Sequence, residues 1–153
     1  MREGGVKFRY PLQKIVDLKE SEKSMAEWEY AAAIGFLRKE EERLAALRKE
    51  KEEAEQRLFE QTQRPTALSE LQRLQQVIEW LDAGIRKQSE SVREAERKMI
   101  QRRQKLTDKM VDEKVWVNAR DKALQRFRHE ALRREQNELD EMAIMRSAAA
   151  ARG

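Results

Sequence analysis

The 153 residues include no cysteine, two prolines and five glycines, and only 6% of them are aromatic. Without cysteine there are neither disulfides nor thiolate metal ligands. Proline and glycine are the strongest helix breakers, so their scarcity leaves long stretches free to remain helical. No apolar run approaches the roughly 18 residues that cross a bilayer, and Met1 to Val6 lack the apolar core of a signal peptide. The expectation is a soluble, cytoplasmic chain with no membrane insertion. There is no Gly-rich phosphate loop, so nucleotide binding by the usual route is not expected. The single histidine, His129, is followed by Glu130-Ala131-Leu132-Arg133. A zinc-protease helix needs a second histidine where Arg133 stands, so no metal site is expected. Two thin helices enclose no cavity of the kind catalysis uses. We expect neither an enzyme nor a cofactor.

Charge is what the chain has in abundance. Asp, Glu, Lys and Arg make up 41%, against about 25% in an ordinary globular domain. Such a composition alone would allow disorder, but the apolar residues recur at regular spacing, which favours long helices. The net charge of +4 is uneven. Residues 97–135 hold 13 Lys/Arg against 6 Asp/Glu, and residues 38–60 hold 7 against 8. A basic stretch suits nucleic acid, acidic protein or anionic lipid, or it is simply a solvated helix face.

Pro11 and Pro65 divide the chain. Residues 1–10 form a short basic arm, expected to be flexible. Pro11 suits the first turn of a helix, where its missing N–H is harmless. The spacing predicts a helix over 11–61, a turn over 62–68 and a second helix over 69–147, with 148–153 a disordered tail. Pro65 pushes Arg64 out of the helical region, and Ser69 with Gln72 has the form of a capping box. In the first helix, Val16, Tyr30, Leu37, Leu44 and Leu58 share one heptad phase, and Leu12, Ala26, Ala33, Leu47 and Ala54 share the phase three residues later. Together they make an a/d seam, interrupted by Lys23, Glu40 and Lys51. Ile15, Leu18, Met25 and Trp28 add a second apolar strip. In the second helix the seam runs Leu71, Leu74, Ile78, Leu81, Ile85, Gln88, Val92, Ala95, Met99, Arg102, Leu106. Two consecutive four-residue steps to Met110 predict a stutter there, before Val117, Leu124, Phe127 and Ala131 resume the pattern.

A short connection returns consecutive helices antiparallel. The fold class is therefore all-α: two long helices in an antiparallel coiled-coil hairpin, the second longer than the first. A turn centred on Pro65 sets Leu58 near Gln72, Leu37 near Arg93 and Trp28 near Arg102, where a guanidinium could lie on the indole face. At about 1.5 Å per residue the second helix outruns the first by roughly thirty residues. That overshoot, about Arg120 to Ser147, carries Leu124, Phe127, Leu139, Met142, Ile144 and Met145. Apolar positions without a partner inside the chain must be covered or they fray, so this stretch is a candidate partner site. Trp28, Trp80 and Trp116 are either partly packed or exposed anchors for a partner.

The opening segment Phe8-Arg9-Tyr10-Pro11-Leu12-Gln13-Lys14-Ile15-Val16-Asp17-Leu18-Lys19-Glu20 resembles the N-terminal signature of the FliJ family, soluble components of flagellar type III export. Leu74-Gln75-Gln76-Val77-Ile78-Glu79-Trp80-Leu81-Asp82 is similar to that family's Gln-Gln-apolar segment early in its second helix, and Leu139-Asp140-Glu141-Met142-Ala143 is a looser match. The resemblance spans essentially the whole chain. It implies a non-enzymatic stalk and adaptor that binds the hexameric export ATPase (FliI-like) and the export gate protein (FlhA-like), with export chaperones as further partners. It also implies promotion of ATPase assembly and protein export, and a location at the inner face of the cell membrane at the flagellar base. Carried onto this sequence, the gate contact falls on Val77 and Leu81, with Ile85 beside them. Family members often have an aromatic residue where this chain has Val77. Seam packing is an equal reading for Ile78, Leu81 and Ile85. The ATPase contact is placed at Arg120, Lys122, Arg126 and Arg128, with Leu124 and Phe127. The chain is expected to be a monomer when alone. Two other readings predict different behaviour: a basic coiled coil on nucleic acid, with steep salt dependence, and a structural spacer, with obligate dimerisation. Trp116 and Phe127 are the only aromatics in the basic stretch, so nucleic acid is not the expected partner.

Overall fold

The computed structural model describes residues 2–3 and 6–152. Two helices account for most of them: α1, Gln13–Thr62, and α2, Leu68–Arg152. Ahead of them a two-residue strand β1 (Arg2–Glu3) pairs antiparallel with β2 (Val6–Lys7). The arm expected to be flexible thus holds a short ladder; Met1, Gly4 and Gly5 lie outside the described residues.

Pro11 sits in the turn that opens α1. The Gln13 amide donates to the Tyr10 carbonyl at 3.1 Å, and the Ile15 and Val16 amides donate to the Leu12 carbonyl at 3.0 and 3.2 Å. At the far end the Thr62 hydroxyl donates back to the Phe59 carbonyl at 2.6 Å. The Thr66 hydroxyl lies 2.8 Å from the Gln61 carbonyl, tying the connection to the end of α1. The predicted capping box does not open α2. The Ala67 carbonyl accepts from the Glu70 and Leu71 amides at 3.1 and 3.4 Å, so Ser69 lies inside the first turn. There Glu70 faces the positive end of the helix dipole. The helix also passes through 148–152, where a disordered tail was expected. Ala148 to Ala151 have the best helix propensity available and extend a helix already nucleated.

Contacts group the chain into two units, Met25–Thr107 and Met1–Ser24 with Asp108–Gly153. In the first unit the core joins Leu37 and Leu44 of α1 to Val92 and Ala95 of α2, with Ile85 and Met99 against them. Ala26, Ala54 and Leu81 are buried as well. All these positions belong to the predicted seams, and Leu37 and Leu44 share one cluster with Val92 and Ala95. Two of the seam's polar interruptions have partners here. Glu40, 6% exposed, accepts from the Gln88 amide nitrogen, which also donates to the Glu40 carbonyl at 2.9 Å. Lys51 Nζ lies 2.6 Å from Asp82. The predicted stacking of Arg102 on Trp28 is absent. Trp28 is 80% exposed, and Arg102 pairs with Glu29 at 3.6 Å alongside Lys105 at 2.9 Å. The residue after the tryptophan faces α2, and a carboxylate is the stronger partner for a guanidinium.

In the second unit Val16 is fully buried. Around it the contacts between helices are ionic: Lys19 with Asp112 at 2.8 Å, Glu22 with Lys109 at 3.2 Å, and Lys23 with both oxygens of Glu113 at 3.0 and 2.9 Å. The predicted stutter is also overturned. Met110 is 51% exposed, whereas Leu106, Lys109, Glu113, Trp116, Arg120, Ala123 and Phe127 are half-buried at alternating three- and four-residue steps. The heptad therefore runs on unbroken through charged residues, which an apolar count passes over. Leu12, placed in the α1 seam by the same count, is 41% exposed.

Candidate functional site: two interaction surfaces

The gate-contact candidates sit early in α2, where every third or fourth residue turns into the seam and those between turn outward. Leu81 is 3% exposed and belongs to the seam, and Ile85 packs on the core. Val77 is 42% exposed, and Trp80, one turn along the same helix, is 72% exposed. Of the three candidates only Val77 presents itself to a partner. Beside it stands an indole that the sequence left between partial packing and anchoring. Tryptophan is among the residues most enriched in binding hot spots. Residues at i and i+3 on one helix are neighbours, so Val77 and Trp80 form one exposed apolar patch.

The second surface lies on α2 from Arg120 onward. Lys122, Arg126 and Arg128 are exposed, and Arg120 is half-buried with its Nε 3.6 Å from Asp121. Lys122, Arg126, His129 and Arg133 line one shallow groove together with Gln125 and Glu130. Their steps of four, three and four keep them on one helix face, giving a basic stripe. Leu124 and Phe127 are half-buried. The sequence left this whole stretch without a cover inside the chain. The structure supplies one for part of it: the Phe8 ring packs on Phe127 with centroids 5.3 Å apart and planes tilted by 53°. Phe8, Arg9, Tyr10 and Gln13 share a cleft with Arg120, Asp121 and Leu124. This is a favourable aromatic geometry, and it explains why an aromatic pair precedes Pro11. Past Ala131 the described residues of α2 are all exposed, Leu132, Leu139, Met142, Ile144 and Met145 among them.

Three ion pairs shift the titration of their members. The hydrogen bond from Lys105 holds the Glu29 carboxyl below its ordinary value, with Arg102 adding to it. Hydrogen bonds to Asp112 and Asp82 hold Lys19 and Lys51 above theirs. These are marks of helix pairing. Among the described residues, no helix is long and apolar enough to cross a membrane.

The family profile described as Flagellar FliJ protein matches residues 8–152. The Flagellar FliJ protein of Bacillus subtilis is 26% identical over 137 residues, covering 90% of this chain and 93% of that protein. The solved structure of a proposed YscO homologue from Chlamydia trachomatis superposes with a TM-score of 0.62 at 18% identity, covering 96% of this chain and 99% of that one, which is a likeness of fold. With a match that spans both helices and their connection, the chain belongs to the flagellar FliJ family, a family of flagellar type III export components.

Proposed function

We propose that the chain is a non-enzymatic stalk and adaptor of the flagellar export apparatus. In this reading it binds the hexameric export ATPase and the export gate, promotes ATPase assembly and protein export, and is held at the flagellar base through those partners. The observation that carries this is the family match from Phe8 to Arg152, which takes in both helices, the turn and the basic stretch. The exposure pattern supports a division of labour within the gate-contact set. Val77 and Trp80 meet the gate, while Leu81 and Ile85 hold α2 against α1 so that the pair is presented at a fixed angle. For the ATPase, Lys122 and Arg126 offer a basic edge that suits an acidic protein surface, while Arg128, Arg120, Leu124 and Phe127 lie on other sides of the same turns.

The test reverses the charges of Arg120, Lys122, Arg126 and Arg128 to glutamate and measures stimulation of the export ATPase. We expect loss of most of the stimulation, on the order of tenfold, since several rim charges act together. Unchanged stimulation by a variant with wild-type circular dichroism would remove these residues from the interface.

A further inference from the structure

We infer that the N-terminal arm is a displaceable cap over the apolar part of the ATPase-contact surface, and that the ATPase takes the place of Phe8 when it binds. This rests on the reading of Arg120 to Arg128 as that contact. The positions already occupied within the chain are the ones the contact needs. Phe8 lies on Phe127, and the cleft that Phe8, Arg9 and Tyr10 share with Leu124 and Arg120 closes over the same turn of α2. The contact of Phe8 itself with α2 is ring packing. An aromatic pair of this kind contributes about 0.5–1.5 kcal/mol. The arm is tied to the start of α1 by the bond from the Gln13 amide to the Tyr10 carbonyl at 3.1 Å, and Phe8 and Arg9 lie before it, so they can leave with the helix start still bonded. The arrangement has the parts of a two-state contact: an apolar face that must not stay bare in the free protein, and a local occupant weak enough for a tighter partner to replace.

Two full-length variants test this, Phe8→Ala and Phe8→Trp. The readouts are affinity for the export ATPase and amide hydrogen exchange over residues 120–131. Phe8→Ala uncovers the face. Its exchange over 120–131 should quicken in the free protein, and its affinity for the ATPase should rise about three- to tenfold, which is the ring contact converted at 1.4 kcal/mol per decade. Phe8→Trp keeps a ring on Phe127 and should stay within about twofold of wild type. Equal or weaker binding by Phe8→Ala with an intact circular-dichroism spectrum overturns the cap and leaves the stalk reading standing. So does unchanged exchange over 120–131, or a gain in affinity that Phe8→Trp shares. If neither the wild type nor any variant binds the ATPase, the stalk reading falls and the cap falls with it.

Discussion

Glu40 sits 6% exposed between Leu37 and Leu44, the two α1 residues of the core cluster. A buried carboxylate is tolerable only when hydrogen-bonded, and Gln88 provides that bond. Such groups are often less stabilising than the apolar residues that could replace them, while a single polar position can dictate pairing register. Replacing both partners, Glu40→Leu with Gln88→Leu, should therefore raise stability by about 1–3 kcal/mol in urea titration. The same change should broaden the distance distribution between spin labels at residues 38 and 93, and an unbroadened distribution would deny the pair its role in register. Two glycines give a simpler case. A Cβ at Gly35 would meet nothing within 4 Å, and one at Gly84 would touch the Leu47 methyls at an ordinary 3.9 Å. Gly35→Ala and Gly84→Ala should each stabilise by about 0.5–1 kcal/mol. Trp28→Ala should change stability by less than about 0.5 kcal/mol, because the indole is exposed. Leu37, Leu44, Val92 and Ala95 were readable from heptad phase alone, and Lys23, Glu40 and Lys51 were visible as interruptions. Their partners Glu113, Gln88 and Asp82 were not, because a polar complement can be named only once the register is known.

At the scale of the helices, the apolar seam gives way to charge where Lys19, Glu22 and Lys23 meet Asp112, Lys109 and Glu113. Glu29 titrates below its ordinary value in the folded protein. Its contribution is complete above the unfolded value and disappears as pH falls through the lowered one. Lys19 and Lys51 titrate above theirs, so their contributions are complete at lower pH and vanish as pH rises through the raised values. Near neutrality all three pairs are intact. These side chains are partly exposed, so ionic strength matters as well. At 1 M salt the screening length shrinks to about 3 Å. Amide exchange over 19–23 and 109–113 should then quicken more than over 37–44, where the contacts are apolar. Equal quickening would mean the ion pairs contribute nothing local. The same charges explain the misplaced stutter. Lys109 and Glu113 occupy seam positions, and a count of apolar residues steps over them to Met110.

For the molecule as a whole, the fold class and the family were legible in the residues. The covering of Phe127 was not, because an aromatic next to Pro11 reads as part of a tail until the two ends of the sequence are brought together. Light scattering should give the mass of one chain at micromolar concentration, and a stable dimer would favour the spacer reading. The three polar pairs also restrict how the helices can slide. They are unevenly spaced, at 23, 40 and 51 on α1 and at 113, 88 and 82 on α2. A slip of one heptad in one direction would set Lys23 against Arg120, Glu40 against Ala95 and Lys51 against Ser89. In the other direction it would set Lys23 against Leu106, Glu40 against Leu81 and Lys51 against Gln75. Neither offers a carboxylate to either lysine. Like the wards of a key, each pair thus favours the register it has over a one-heptad slip.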